Sequence, residues 1–340
     1  MIPTSPSTRA THLARHTMNT PLPRREFLRR SGSTVGAAVL GSLTLPVSPV
    51  TAAAPAPAAA AAAPTNVSLG FSLYGMKALP VATALKTCAE IGYENVEFAL
   101  MPGWPTEPKL LSATDRRQIA ATLDGLGLKV SALMENLSPL GTDADHKRNL
   151  ERLAAAAMLG DDLSRSAQPV IETVLGGNPK QWDAVREPMA ERLRAWGGVA
   201  EAYQTVIAVK PHVGGALHTP EGALWLLRAV NHPWIKLTYD FSHYELRGYE
   251  LAATLKELAP HAAFIHVKDS EGTADKFKFL LPGEGRIDYA SYAARLKATP
   301  YRGPVVVEVS GLIFNQKGYD PLAAARKSYT ALAPHFQKKG

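Results

Sequence analysis

From Asn66 onward, short β-rich runs alternate with longer amphipathic stretches. The runs rich in Val, Ile, Phe and Tyr read as strands over 67–74, 95–100, 129–134, 170–175, 206–212, 236–241, 263–268 and 305–309. Helical periodicity fills the gaps near 79–91, 114–126, 144–159, 181–204, 219–230, 249–258 and 288–297, with a last helix near 321–335. Eight alternations in one domain predict the α/β class and a closed (β/α)8, or TIM, barrel. A doubly wound sheet would want a glycine-rich phosphate turn after its first strand, and Phe71-Ser72-Leu73-Tyr74-Gly75 does not provide one. Thr219-Pro220-Glu221 reads as an N-cap, a proline at the first helical position and an early acid. The residues from 269 to 287 are expected to form a long loop, a lid ordered by Glu284 and Arg286 and carrying Phe277 and Phe279.

Strand parity then sorts the polar residues. Side chains two apart share a face, and barrel strands are covered on both faces, so a charged residue near a strand's C-terminal end stands out. Ile207, Val209 and Pro211 form one face, which leaves Lys210 and His212 in the barrel mouth. By the same argument Asp240, His266, Lys268, Glu308 and Ser310 point inward, as do Glu97 and Glu172. Seven ionisable groups therefore converge: Glu97, Glu172, Lys210, His212, Asp240, His266 and Glu308. For any single inward carboxylate the plain reading is a salt bridge inside the barrel. For the set, two carboxylates and an imidazole on consecutive strands (Asp240, Glu308, His266) are ligand types that suit Mn, Mg, Co or Zn as a single divalent ion.

Composition removes other classes. The net charge is +7, but residues 1–66 hold six arginines against Glu26 alone, so +5 belongs to that segment and the main support for nucleic-acid binding goes with it. One cysteine, Cys88, excludes a disulfide framework, a Cys-rich zinc site and an iron–sulfur cluster. Arg24-Arg25 precede Phe27-Leu28, a moderately apolar run over 31–50 and the small-residue site Val50-Thr51-Ala52, the order of a twin-arginine export signal. The expected organisation is a cleaved signal region at 1–52, an Ala/Pro-rich linker at 53–65 and one barrel over 66–340. A periplasmic or secreted location follows, with no stable membrane insertion after cleavage. That compartment makes sugar phosphates unsuitable substrates.

With these residues in view, the chain from about Leu69 to Phe336 resembles the xylose-isomerase-like barrel superfamily, the sugar phosphate isomerase/epimerase group. The matching pieces are Gly92-Tyr93-Glu94-Asn95-Val96-Glu97, Asp240-Phe241-Ser242-His243, His266-Val267-Lys268-Asp269, Pro282-Gly283-Glu284-Gly285-Arg286-Ile287-Asp288 and Val307-Glu308-Val309. The resemblance implies one divalent ion bound through Glu, Asp, His and Glu on strands five to eight, with Asp240, His266 and Glu308 in the last three places. The first place departs, because Lys210-Pro211-His212 stands where the family has Glu before a nearby His. Three readings follow, in order of preference. His212 supplies the fourth ligand; or Lys210 is held neutral as a base; or the Lys210 ammonium takes the cation's place and leaves a metal-free site.

An ion chelated by a hydroxyl and its neighbouring carbonyl acidifies the carbon between them and stabilises the enediolate. The expected function is a divalent-metal-dependent sugar isomerase or epimerase acting on a non-phosphorylated sugar or sugar derivative. Glu308 is the matched ligand and base, Lys210 or Glu172 would act opposite it, and Lys268, His243, Glu97 and His212 would hold substrate oxygens. One alternative is a lyase or deglycosidase that cleaves 3-keto-glycosides by β-elimination. Another is a non-catalytic periplasmic sugar-binding barrel. The expected partner is a small carbohydrate, and the resemblance also allows a homodimer.

Overall fold

A computed structural model of the protein describes residues 67–164 and 167–336; the leader and linker expected at 1–65 lie outside the described residues. Eight parallel strands close on themselves: β1 (Leu69–Ser72), β2 (Asn95–Ala99), β3 (Lys129–Glu135), β4 (Val170–Val174), β5 (Ile207–Lys210), β6 (Ile235–Asp240), β7 (Ala262–Val267) and, after a two-stranded ribbon, β10 (Val305–Val307). The ribbon pairs β8 (Asp269–Thr273) antiparallel to β9 (Lys276–Leu280). Helices α1 (Val81–Ile91), α2 (Ala113–Leu126), α3 (Asp143–Leu163), α4 (Trp182–Tyr203) and α5 (Pro220–Val230) follow the first five strands. Next come α6 (Phe241–Glu245), α7 (Leu251–Leu258), α8 (Tyr289–Lys297), α9 (Gly311–Phe314) and α10 (Pro321–Phe336). The predicted (β/α)8 barrel is therefore the observed one. Among the described residues, no helix is long and apolar enough to cross a membrane.

Local chemistry sets the boundaries. Strand β5 ends at Lys210 because Pro211 has no N–H to continue the ladder. Helix α5 starts as expected: the Thr219 hydroxyl accepts from the Gly222 N–H, and Pro220 takes the first turn. Helix α1 stops where Gly92 adopts φ 110°, a conformation other residues resist. At the end of β6, Asp240 turns the chain directly into α6, its Oδ1 accepting from the Ser242 N–H (3.2 Å) and hydroxyl (2.7 Å).

The loop expected over 269–287 contains the β8–β9 ribbon. Its second strand, Lys276-Phe277-Lys278-Phe279-Leu280, alternates polar and apolar with period two, the signature of a half-buried strand. Past the ribbon the chain folds back on Asp269, whose carboxylate accepts from the N–H groups of Gly283 (2.7 Å) and Ile287 (3.1 Å). Glu284 pairs with Lys327, and Arg286 with Glu245 at 2.8 Å, so both hold the segment in place.

Parity governs the core. Ile207, Val209, Leu237, Tyr239, Ile265, Val267, Val305 and Val307 face the helices and are buried there. Inside the barrel, Ala132, Ala208, Phe264 and Val306 form an apolar floor. Burying each larger side chain in these layers stabilises the fold by roughly 1.5–3 kcal/mol. Two residues further along the same strands lie Met134, Lys210, His266 and Glu308, so polar groups begin one layer above the floor.

Candidate active site

The polar layer is almost dry. Glu97, Glu172 and His266 are fully buried, Asp240, Lys210 and Lys268 nearly so, and Glu308 is 8% exposed. Charges in such a place require partners. Two ammonium groups provide them. Lys210 Nζ lies 3.0 Å from His266 Nδ1, 3.0 Å from Glu308 Oε1 and 3.3 Å from Glu172 Oε1. Lys268 Nζ bonds Asp240 Oδ2 and, at 2.6 Å, Glu308 Oε2. Glu308 is thus gripped through both oxygens, one by each lysine.

These contacts set the protonation states. Burial alone would lower the pKa of Lys210, but Glu172, Glu308, Asp240 and Glu97 outweigh it and hold the value above the usual lysine range. These contacts favour the ammonium form of Lys210 over the neutral base considered from the sequence. Burial works upward on Glu308 too, and Lys210 and Lys268 overcome it, leaving the carboxyl well below its ordinary range. Burial pushes the Glu172 carboxyl up to about 7, against the pull of Lys210 and His266. For His266, burial opposes charge and Glu97 favours it, with a net upward shift. Its Nε2 stands 2.9 Å from Glu97 Oε2, and a second proton at Nδ1 would confront the Lys210 ammonium; the geometry keeps the ring neutral.

Two further histidines are fixed as neutral donors. His243, on α6, accepts the Val213 N–H at Nδ1 (3.3 Å), so its proton sits on Nε2, 3.5 Å from Asp240 Oδ2 and 3.3 Å from Lys268 Nζ. Two donors face each other across that last distance, which leaves the third Lys268 proton for a ligand. His212 accepts the Gly214 N–H at Nδ1 (3.1 Å) and likewise carries its proton on Nε2. Burial, then Lys210 and Lys268, lowers His212 to about 4 and His243 well below the usual value.

A cavity of about 110 Å³ opens above this layer. Lys210, Lys268, His212, His243, Ser310 and Glu308 line it, and Glu308 is the one carboxylate among the described lining residues. Tyr74 and Phe279 form apolar walls. Trp104 stacks on Tyr74 at 5.2 Å, and Phe279 lies edge-on to His243 at 5.1 Å with Lys268 Nζ 4.8 Å above its ring. Sequence reasoning missed Tyr74 and Asn136 as lining residues: the parity argument followed charged and ionisable side chains, and neither residue carries a charge.

Two placements differ from expectation. Glu97 and Glu172 face the lumen, as parity predicts, but lie under His266 and Lys210 and do not line the cavity. Glu97 is thus not placed to touch substrate, nor Glu172 to act as a base on it. His212 reaches the cavity but stands apart from the clustered ligand atoms, its Nδ1 turned to Gly214.

Two groups of side chains bring donor atoms close enough to hold a metal ion: Asp240–His266–Glu308 and, beneath it, Glu97–Glu172–His266. As arranged the first does not fit one, while the second leaves Glu97 Oε1 and both Glu172 oxygens without a hydrogen-bond partner. In the first, Lys210 takes His266 Nδ1 and Glu308 Oε1, while Lys268 takes Asp240 Oδ2 and Glu308 Oε2. An ion bonding at ~2.0–2.6 Å would have to displace both ammonium groups.

The sequence matches the pattern described as "Xylose isomerase-like TIM barrel" over residues 85–334. The chain belongs to this family. Among curated relatives, an inosose dehydratase of Salmonella typhimurium is 24% identical over 208 residues, 56% of this chain and 67% of that protein. An L-ribulose-5-phosphate 3-epimerase of Salmonella paratyphi C is 23% identical over 269 residues, 74% and 90% of the two chains. Among solved structures, the apo 3-keto-D-glucoside 4-epimerase of E. coli superposes with a TM-score of 0.63 at 17% identity, covering 79% of this chain and 99% of the other. A zinc-bound IolI protein gives 0.67 at 18% identity, covering 80% and 100%. These superpositions establish the fold. Of these four proteins, two are named as epimerases and one as a dehydratase.

Proposed function

We propose that the protein is an enzyme that removes a proton from the carbon beside a carbonyl in a non-phosphorylated sugar or sugar derivative, through an enediolate. The observation that supports this most is the Glu308 carboxylate, facing the cavity with hydrogen-bond donors on either side. Glu308 takes the proton; the uncommitted Lys268 N–H and the His212 Nε2–H receive the oxygen that becomes negative. His212 stays neutral at working pH, and a neutral imidazole N–H polarises a carbonyl without donating its proton outright. With Glu308 held strongly ionised, it is a weak base, so the step depends on these donors acting in a site shielded from water. The cavity offers little to a phosphate: both lysines in its lining are held by carboxylates. Export through a twin-arginine leader is part of the same proposal.

The proton's destination decides the product. Return to the neighbouring carbon gives an isomer, return from the opposite face gives an epimer, and loss of a neighbouring oxygen gives β-elimination. A second reading has a specific observation behind it. One carboxylate in the lining suits the single-base outcomes, isomerisation or the cleavage of a 3-keto-glycoside, better than a two-base epimerisation. The test is to incubate the full chain with ketoses and with 3-keto-glycosides, following isomers by NMR and aglycone release by absorbance. Conversion of either class, lost in Glu308→Gln, is the expected result. Binding without conversion of any would overturn the proposal in favour of a sugar-binding barrel.

A further inference from the structure

The family resemblance calls for a divalent ion, and the donor atoms such an ion would use are present, yet each is already engaged. Asp240 Oδ2, His266 Nδ1 and both Glu308 oxygens hold hydrogen bonds from Lys210 or Lys268. The two lysines come from the strands on either side of β6: Lys210 ends β5, and Lys268 directly follows β7. Neither approaches from a surface chain that could swing away, because both are nearly inaccessible to solvent. The lower cluster of Glu97, Glu172 and His266 keeps carboxylate oxygens without hydrogen bonds, but it is fully buried, does not line the cavity and faces the Lys210 ammonium, 3.3 Å from Glu172. Displacing Lys210 would leave its charge without Glu172, Glu308 and the His266 ring, in a place where an unpaired ammonium is strongly disfavoured.

We propose that Lys210 and Lys268 together replace the divalent cation, so that the centre is held and charged by two ammonium groups and binds no metal. In this arrangement Lys210 is a positioning residue: it fixes Glu308 and His266 from the cavity lining. Lys268 holds the other Glu308 oxygen and keeps one N–H for the ligand. The inference concerns the cation and does not depend on which sugar is turned over.

The test reads metal rather than activity. The full chain is treated with EDTA, gel-filtered, and exposed in turn to Mn²⁺, Co²⁺, Zn²⁺ and Mg²⁺; bound metal is measured by plasma mass spectrometry and Tm by scanning fluorimetry. The expected result for the wild type is less than about a tenth of an ion per chain and a Tm change under about 1 °C. Lys210→Gln/Lys268→Met, which removes both ammonium groups, and Lys210→Glu/Lys268→Met, which also adds a carboxylate to the same donors, should each take up about one ion per chain. Their Tm should rise by several degrees with it. If either variant folds only with metal present, metal-dependent recovery of its folded circular dichroism reports the same gain. Stoichiometric metal in the wild type would overturn the proposal. So would variants that stay metal-free, because the two lysines would then not be what stands in the ion's place.

Discussion

Replacing Lys268 by Met tests the electrostatic core of the site. The methionine fills similar space but removes the ammonium that bonds Asp240 and Glu308, two carboxylates buried to 1% and 8% exposure. Glu308 keeps Lys210, whereas Asp240 Oδ2 keeps only the His243 edge at 3.5 Å. Removing one partner of a buried ion pair costs about 3–5 kcal/mol, much of it from the charge left behind. In a domain of this size each kcal/mol lowers Tm by ~2 °C, so a fall of about 6–10 °C is expected. Adding Asp240→Asn should recover a large part. The asparagine keeps the Oδ1 acceptor that caps α6 through Ser242 and removes the stranded charge. A double-mutant cycle by urea unfolding should return a coupling of about 2 kcal/mol or more. A Lys268→Met cost below about 1 kcal/mol, or a double variant no more stable than Lys268→Met alone, would refute the reasoning.

Further outcomes follow from the same geometry. Glu308→Gln should lose about 10²–10⁴-fold in kcat while keeping the wild-type far-UV circular dichroism. His212 titrates near 4 in the fold against 6.5 when unfolded, so unfolding takes up a proton between those values and stability should fall as pH drops from 6.5 to about 4. His243 works in the same sense. His212→Asn, whose Oδ1 can take the Gly214 N–H, should flatten that loss in a pH series of Tm values. Phe279→Ala opens the wall beside His243 and Lys268 and should raise KM more than it lowers kcat, read from steady-state kinetics. Burial holds the Cys88 thiol up at about 12, so a thiol reagent at pH 8 should leave the native chain unlabelled and react once urea unfolds it.

Much of the barrel was legible because period-two and period-3.6 patterns are strong when strands are short and both faces are covered. All eight expected runs contain or closely overlap the observed strands. The excess at their ends lies where a specific group stops pairing, such as Pro211 after β5 or the Asp240 cap after β6. Parity also carried the inward set, since Ala208 and Lys210, or Phe264 and His266, share a face by backbone geometry alone. The ribbon was missed although Phe277 and Phe279 alternate with lysines, because the run sat inside a segment read as one long loop. What parity could not give is who partners whom. Lys210 and Glu308 are 98 residues apart, and only closure of the barrel brings them within 3.0 Å. The preferred reading of His212 as a metal ligand failed to anticipate the Gly214 N–H, a contact made by a turn two residues away. Glu97 and Glu172 face the lumen, but parity says nothing of depth, and the lysine and histidine above them decide what a ligand reaches.

The central claim is that Glu308 abstracts a proton beside a carbonyl, and solvent deuterium tests it most directly. A keto-sugar that the enzyme turns over is incubated in D2O, and the C–H signal next to the carbonyl is followed by proton NMR in substrate and product. The account predicts deuterium entering at that carbon, or its loss with the leaving group in an elimination, for the wild type and not for Glu308→Gln. Exchange that continues undiminished in Glu308→Gln, or turnover that leaves that C–H bond untouched, would contradict it.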